Sequence, residues 1–342
     1  MKIKKQNFII LILVAIVMGL MTYVLFFKEK DSLQVDVSDV EVALDVQRFD
    51  KELFTDYTDI KEHAAELESK YPRFFMLFTQ QIIKIGHTGN KRFYEYFDAF
   101  LNDFSVEKAR HAVTQKFNGL DNVENKLENG FRHYKYYYPE KEIPDIITFV
   151  AGFNHSIVTD EGIIGIGLDK YLGADSELYA MMDIPAYAVR KMKPEMIPVD
   201  CMYAWAQMEH MEPDTTEFLV HKMIYEGKML YFLDAMYPGM HDSIKMGYSE
   251  KDIAYCHRYE KHMWEYLVSE ELLFSTDYLK RRKFTGDAPF TSAFGKESPG
   301  RAAVWIGWQI VKAWVDNENV DLQSLMQEND YQKILNQSHY EP

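Results

Sequence analysis

Cysteine is almost absent from this 342-residue chain. Cys201 and Cys256 are the whole complement, too few for a disulfide scaffold and without the paired spacing of a zinc site. None precedes residue 201, so no lipid-attachment cysteine follows the first apolar segment. Basic residues are also scarce: 38 Lys and Arg against 53 Asp and Glu give a net charge of −15. That charge repels phosphate backbones and excludes nucleic acid as a partner. None of the eleven histidines is followed by Glu, so the His-Glu-x-x-His pattern, which sets two imidazoles on one helix face with a Glu beside the metal-bound water, is missing. His221 and Glu226 lie five apart, about 140° around a helix, which is the wrong spacing for one shared ion. There is no G-x-S-x-G elbow, and Gly165-x-Gly167 lacks the third glycine of a dinucleotide loop. These gaps leave no cofactor, no metal site and no catalytic residue to expect, and argue against an enzyme. Repeats and low-complexity stretches are absent too.

What the chain has in quantity is aromatic and aliphatic side chains, with 23 Tyr, 22 Phe and 47% hydrophobic residues, enough for a large core. Lys2, Lys4 and Lys5 precede Phe8–Phe27, a run of twenty uncharged residues. As a helix it would span about 30 Å, the thickness of a bilayer core, and the lysines orient its start to the cytoplasm. The expected organisation is an N-terminal membrane-spanning anchor or signal segment over residues 1–27, a tether over 28–39, and one envelope domain over 40–342, outside the cytoplasm. That domain should be α+β and predominantly helical. Val40, Val42, Leu44 and Val46 alternate as a half-buried strand does. Ile146–Phe153, Ser156–Thr159 and Ile163–Leu168, with a turn at Asp160-Glu161-Gly162, predict a small antiparallel sheet packed against a buried central helix. Helical pieces from Leu53 to Tyr138 should break near Pro72, Gly86–Gly89, Ser105 and Gly119.

The central helix is read from Asp214–Pro238. Asp214 and Glu217 have the spacing of a capping box, and Pro238-Gly239 is a stop signal. It is apolar on nearly every face, the mark of a buried helix. Gly227 in its middle costs about 1 kcal/mol against Ala and signals close approach by another chain segment. Glu226 beside it must meet a partner, because an unpaired buried carboxylate costs several kcal/mol. Ser249 should cap the next long helix and Ser298-Pro299 should open the last one. The ionisable residues embedded in apolar surroundings form the candidate buried polar cluster: Glu226, Lys228, Glu260, Arg301 and Asp169. Arg301 is the expected partner of Glu226, since its planar fork suits a buried carboxylate. Lys228 points to another face.

Taken together, GFN with GIGLDKYLG (152–154 and 165–173), MIYEGKMLYFLDAMYP (223–238), and APFT with ESPGRAAVWIGWQIVKAW (288–291 and 297–314) make the chain resemble the gliding-motility lipoprotein GldB family from about Val40 onward. More remotely it resembles zinc-peptidase-like domains that lack the metal motif. The resemblance implies a membrane-anchored cell-envelope protein, a non-catalytic component whose partners are other envelope proteins of a motility or secretion machinery. The alternative is a ligand-binding or hydrolytic domain of peptidase-like ancestry. Family members carry a lipoprotein cysteine that this chain lacks, which favours anchoring through the apolar helix itself.

Overall fold

The computed structural model describes residues 33–213 and 217–342. The expected membrane anchor at Phe8–Phe27 lies outside the described residues, as does Asp214 of the expected capping box. Among the described residues no helix is long and apolar enough to cross a membrane.

From Val37 to the end the chain forms one unit. Its start alternates between exposed and partly covered residues, as the Val40–Val46 pattern requires, but only Val46–Gln47 (β1) pairs as a strand. Helices α1 (Phe49–Glu52), α2 (Ile60–Lys70) and α3 (Pro72–Leu77) follow, the last running into a π-helical turn at Phe78–Ile82. Then come α4 (Phe93–Leu101), α5 (Phe104–Lys116) and α6 (Asp121–Tyr137). The break expected at Ser105 sits slightly earlier, because Asp103 caps α5 by accepting from the Ser105 and Val106 amides at 2.8 and 3.1 Å. Phe49, Phe74, Phe75, Phe78, Phe93 and Phe97 are all buried and meet largely edge to face, with Phe49 5.1 Å from both Phe74 and Phe78. Edge-to-face pairs add stabilisation beyond area burial, and here they build a core against the sheet through Phe149.

The sheet corrects the expected topology. Strands β2 (Asp145–Phe149), β3 (Ile157–Asp160) and β4 (Ile163–Gly167) join β1 in the order β1-β2-β4-β3. Both β1–β2 and β2–β4 are parallel, and only the β3–β4 hairpin is antiparallel. The physical reason lies in the residues: IIGIG is a continuous apolar run and IITF is broken only by the buried Thr148, the pattern of central strands buried on both faces, whereas antiparallel surface strands alternate. A second correction concerns what covers the sheet. After α7 (Glu177–Met181) and α8 (Ala186–Val189), helix α9 (Ile197–Glu209) contacts β3 and β4 and in turn lies on α10 (Leu219–Met236), so it stands between the sheet and the central helix.

Helix α10 is buried at every position except His221 and Lys222. Its cap is the backbone of a neighbouring loop, with the Leu219 and Val220 amides donating to Ser275 O and Leu273 O. Helices α11 (Asp242–Met246), α12 (Glu250–Ser269), α13 (Tyr278–Thr285), α14 (Ala302–Glu318), α15 (Leu322–Gln327) and α16 (Tyr331–Ser338) complete the chain. Ser249 caps α12 in a capping box with Asp252. The dominant packing is α10 on α14, and it depends on two glycines. A Cβ on Gly227 would lie 2.4 Å from Gly307 O, and one on Gly307 would lie 1.9 Å from Met223 O. The mid-helix glycine therefore marks a backbone-to-backbone crossing.

Candidate functional site

The five residues singled out from the sequence go to four different places. Glu226 and Arg301 come together. Lys228 points away from them, donating to Met326 O at 3.2 Å and Glu328 O at 2.6 Å, where it satisfies carbonyls at the C-terminal end of α15. Burial lowers its pKa to about 8. Glu260 is half-buried on α12 and accepts from Tyr340 Oη at 2.7 Å, fastening the chain end beside Trp264. Asp169 is a turn acid beyond the end of β2: its Oδ2 accepts from the Ala151 and Phe153 amides at 3.1 and 2.7 Å. Gly152 and Phe153 both have positive φ, 68° and 67°, so this carboxylate holds a strained turn in place. The GFN and GIGLDKYLG segments are thereby bonded to each other.

Complete burial raises the Asp169 pKa to about 6 despite those amides. A carboxyl whose folded pKa exceeds its unfolded value stabilises the fold at low pH, and that contribution is lost as pH rises through the folded value. Asp169→Asn keeps an acceptor oxygen and has no such loss. Relative to the parent chain, the variant should therefore gain about 2–3 kcal/mol of stability between pH 4 and pH 7.5. Urea unfolding at the two pH values checks this, and an unchanged difference contradicts it.

Around Glu226 the sequence named one partner and the structure supplies three. Arg301 Nη2 stands 3.3 Å from Oε2, Tyr203 Oη of α9 donates to the same oxygen, and Lys222 Nζ lies 2.9 Å from Oε1. Burial pushes the Glu226 pKa up, but Arg301, Lys222 and the Tyr203 hydroxyl more than offset it, so the net shift is downward. Lys222 is the i−4 neighbour, a spacing open to reading in the sequence and overlooked. Beyond these, Arg301 Nη1 lies 3.8 Å from Asp287, which pairs with Lys191 at 2.8 Å, and Lys222 reaches Glu212 at 2.6 Å. Next to them, Asp200 accepts from Tyr171 Oη at 2.8 Å. Burial of its carboxyl raises its pKa to about 6.

The backbone around Arg301 is held by a set of hydrogen bonds. It occupies the left-handed region (φ 58°) as the residue before α14, which corrects the expected Ser298-Pro299 start. Thr291 Oγ donates to Pro299 O at 2.8 Å and accepts from the Ala302 amide at 3.1 Å. Ser298 Oγ lies 2.6 Å from Gly295 O and 3.0 Å from Thr291 O, while Tyr248 Oη donates to Gly300 O at 2.5 Å. A Cβ on Gly300 would sit 2.1 Å from Ala288 O. The APFT and ESPG segments thus form one clamp that holds Asp287 and Arg301 together.

A second polar group was missed altogether. Asp234, two turns after Glu226 on α10, takes Lys245 Nζ at 2.5 Å and Trp308 Nε1 at 2.9 Å, with Lys312 at 3.6 Å. Listing every charge in the buried helix would have found it. Cys201 and Cys256 are both buried and free. Among the described residues, no three His, Cys, Asp or Glu side chains converge as metal ligands would.

Chemically the Glu226 group is charge-balanced. Glu226 is held ionised by two cations, and burial drives the Tyr203 hydroxyl to remain neutral. Neither is poised as a proton carrier near neutral pH; in this neighbourhood Asp200 is. Over residues 30–342 the chain matches the family described as gliding motility protein GldB. No curated protein and no solved structure matches it, and the more remote likeness to zinc-peptidase-like domains has no support in these comparisons.

Proposed function

This chain belongs to the gliding motility protein GldB family, and from that premise we propose that it is a membrane-anchored, non-catalytic component of the cell envelope that supports a motility or secretion assembly. The observation that carries the reading is the family match across nearly the whole chain, together with a central polar group whose charges are spent on one another. The Glu226–Arg301 ion pair ties α10 to the loop before α14, and the Tyr203 hydroxyl adds α9 through a hydrogen bond, so these polar groups are used in holding the fold together. The domain lies outside the cytoplasm, carried across by the apolar run at Phe8–Phe27 behind three lysines. Other envelope proteins are its partners. Deleting the gene in the bacterium that encodes it should abolish surface spreading, and the intact chain should restore it; a deletion strain that spreads normally contradicts the reading.

One observation favours the hydrolytic or ligand-binding alternative: Asp200, with its raised pKa, is a carboxyl of the kind acid–base sites employ. Asp200→Asn retains the acceptor for Tyr171 and abolishes proton transfer. The variant should restore spreading as well as the parent chain does. A folded Asp200→Asn protein that fails to restore it would move the assignment to the enzymatic reading.

A further inference from the structure

On this acidic protein, one short helix gathers two exposed apolar side chains and several positive charges. Helix α13 reads YLKRRKFT and buries Phe284 against Tyr266 and Phe294. Its outer face carries Tyr278 and Leu279, 63% and 72% exposed, with Arg282 and Lys283 one turn on and exposed Lys280 at the flank. Phe274, half exposed, stands just before it and packs on Phe218 at 5.7 Å. The exposed acids of this stretch, Glu270 and Glu271, precede Phe274, and Asp277 is occupied in capping α13 through the Leu279 and Lys280 amides. The platform is fixed, because Leu273 and Ser275 carbonyls accept the first amides of buried α10.

An isolated exposed Leu or Tyr requires no explanation, but an aromatic and an aliphatic residue interleaved with two basic ones on one helix face, and a third at its flank, match a bilayer interface. The apolar side chains enter the acyl boundary while lysine and arginine reach the headgroups. We propose that α13 with Phe274 is a docking face for the anionic surface of the bilayer that anchors the chain. The proposal rests on the membrane-anchored reading above. On that reading the domain is held at high effective concentration near a bilayer, so a weak face is enough.

The test uses the full chain with Leu279→Cys carrying an environment-sensitive fluorophore; Cys201 and Cys256 are buried, so labelling is selective. Phe104→Cys, at the exposed first residue of α5, is the control position. In nanodiscs containing brominated phosphatidylglycerol the label at 279 should be quenched, consistent with a depth of roughly 5–10 Å, and the label at 104 should not. Changing Lys280, Arg282 and Lys283 together to Gln should lower the docking equilibrium constant on the order of a hundredfold and bring quenching at 279 to the control level. No quenching at 279, equal quenching at both positions, or shielding of 279 without lipid quenching, as a protein partner would give, overturns the proposal. Incorporation into nanodiscs, read by size exclusion, reports the anchor separately. A chain that does not incorporate but shows the 279 signal with anionic vesicles keeps the docking face and loses the anchor; one that shows neither loses both.

Discussion

Gly307→Ala should leave this domain unfolded or close to it. Helix propensity alone predicts the opposite, a gain of about 1 kcal/mol for replacing a mid-helix glycine. At this crossing, however, the new methyl would lie 1.9 Å from Met223 O and 2.3 Å from its carbonyl carbon. Both are backbone atoms of a helix buried over its length, so no side chain can turn aside. Relief requires α10 and α14 to separate, which loosens Trp305, Trp308 and the Asp234–Trp308 bond along with them. Overpacking usually costs 1–3 kcal/mol where side chains absorb it; a backbone collision belongs with the exceptional losses above about 4 kcal/mol. Against a total of about 5–15 kcal/mol, that is most of the stability. Gly227→Ala should behave alike, with Gly307 O 2.4 Å from the added atom. Gly119→Ala, where a Cβ would find only Asp121 Oδ2 at 4.0 Å, is the control and should be nearly neutral. Thermal melts of the three variants settle the comparison, and a folded Gly307→Ala protein with unchanged melting temperature would contradict the crossing.

The second large effect is expected at Glu226 and Arg301. Breaking a buried ion pair from one side costs about 3–5 kcal/mol when the survivor has nowhere else to turn. Glu226→Gln approaches that limit, because it strips Arg301 of its nearest carboxylate and leaves Asp287 at 3.8 Å. Arg301→Met should cost less, about 2–3 kcal/mol, since Glu226 keeps Lys222 and Tyr203. The double variant should be more stable than the sum of the singles predicts by about 1–3 kcal/mol, the usual coupling of residues in contact. Urea unfolding of the four proteins measures the coupling directly; strict additivity would mean that the pair does not act as a unit.

What could be read in the residues was whatever local chemistry forces. Gly227 in an apolar helix demanded a close neighbour, a carboxylate beside it demanded a cation, and Ser249 demanded a helix after it. Each demand is a cost that some neighbour must offset, so each survives without knowledge of the fold. What escaped was choice among equals. The strand runs were visible, yet their direction depends on how the chain crosses between β2 and β4, and the clue in their near-continuous apolar character was passed over. Lys222 sits one turn before Glu226 on the same helix, where its side chain can equally turn to solvent or to Glu212. Arg301 was placed inside a helix that begins only after it, because the cap comes from Thr291, eleven residues earlier in the chain. Asp169 follows a strand and a GIG run, the place of a strand-end or turn acid, and it holds a turn. Grouping Glu226, Lys228, Glu260, Arg301 and Asp169 in one cluster followed from their shared setting, and burial in a common core does not place side chains side by side.

On the proposed function, the buried charges serve shape and not chemistry. Complementing the deletion strain with the Glu226→Gln, Arg301→Met double variant tests it most directly, once immunoblotting has shown the protein at parental abundance in the envelope. A chain that retains its fold without the central ion pair should restore surface spreading to the parental level. An abundant, folded double variant that leaves the cells unable to spread would show that these side chains act on something beyond the protein itself.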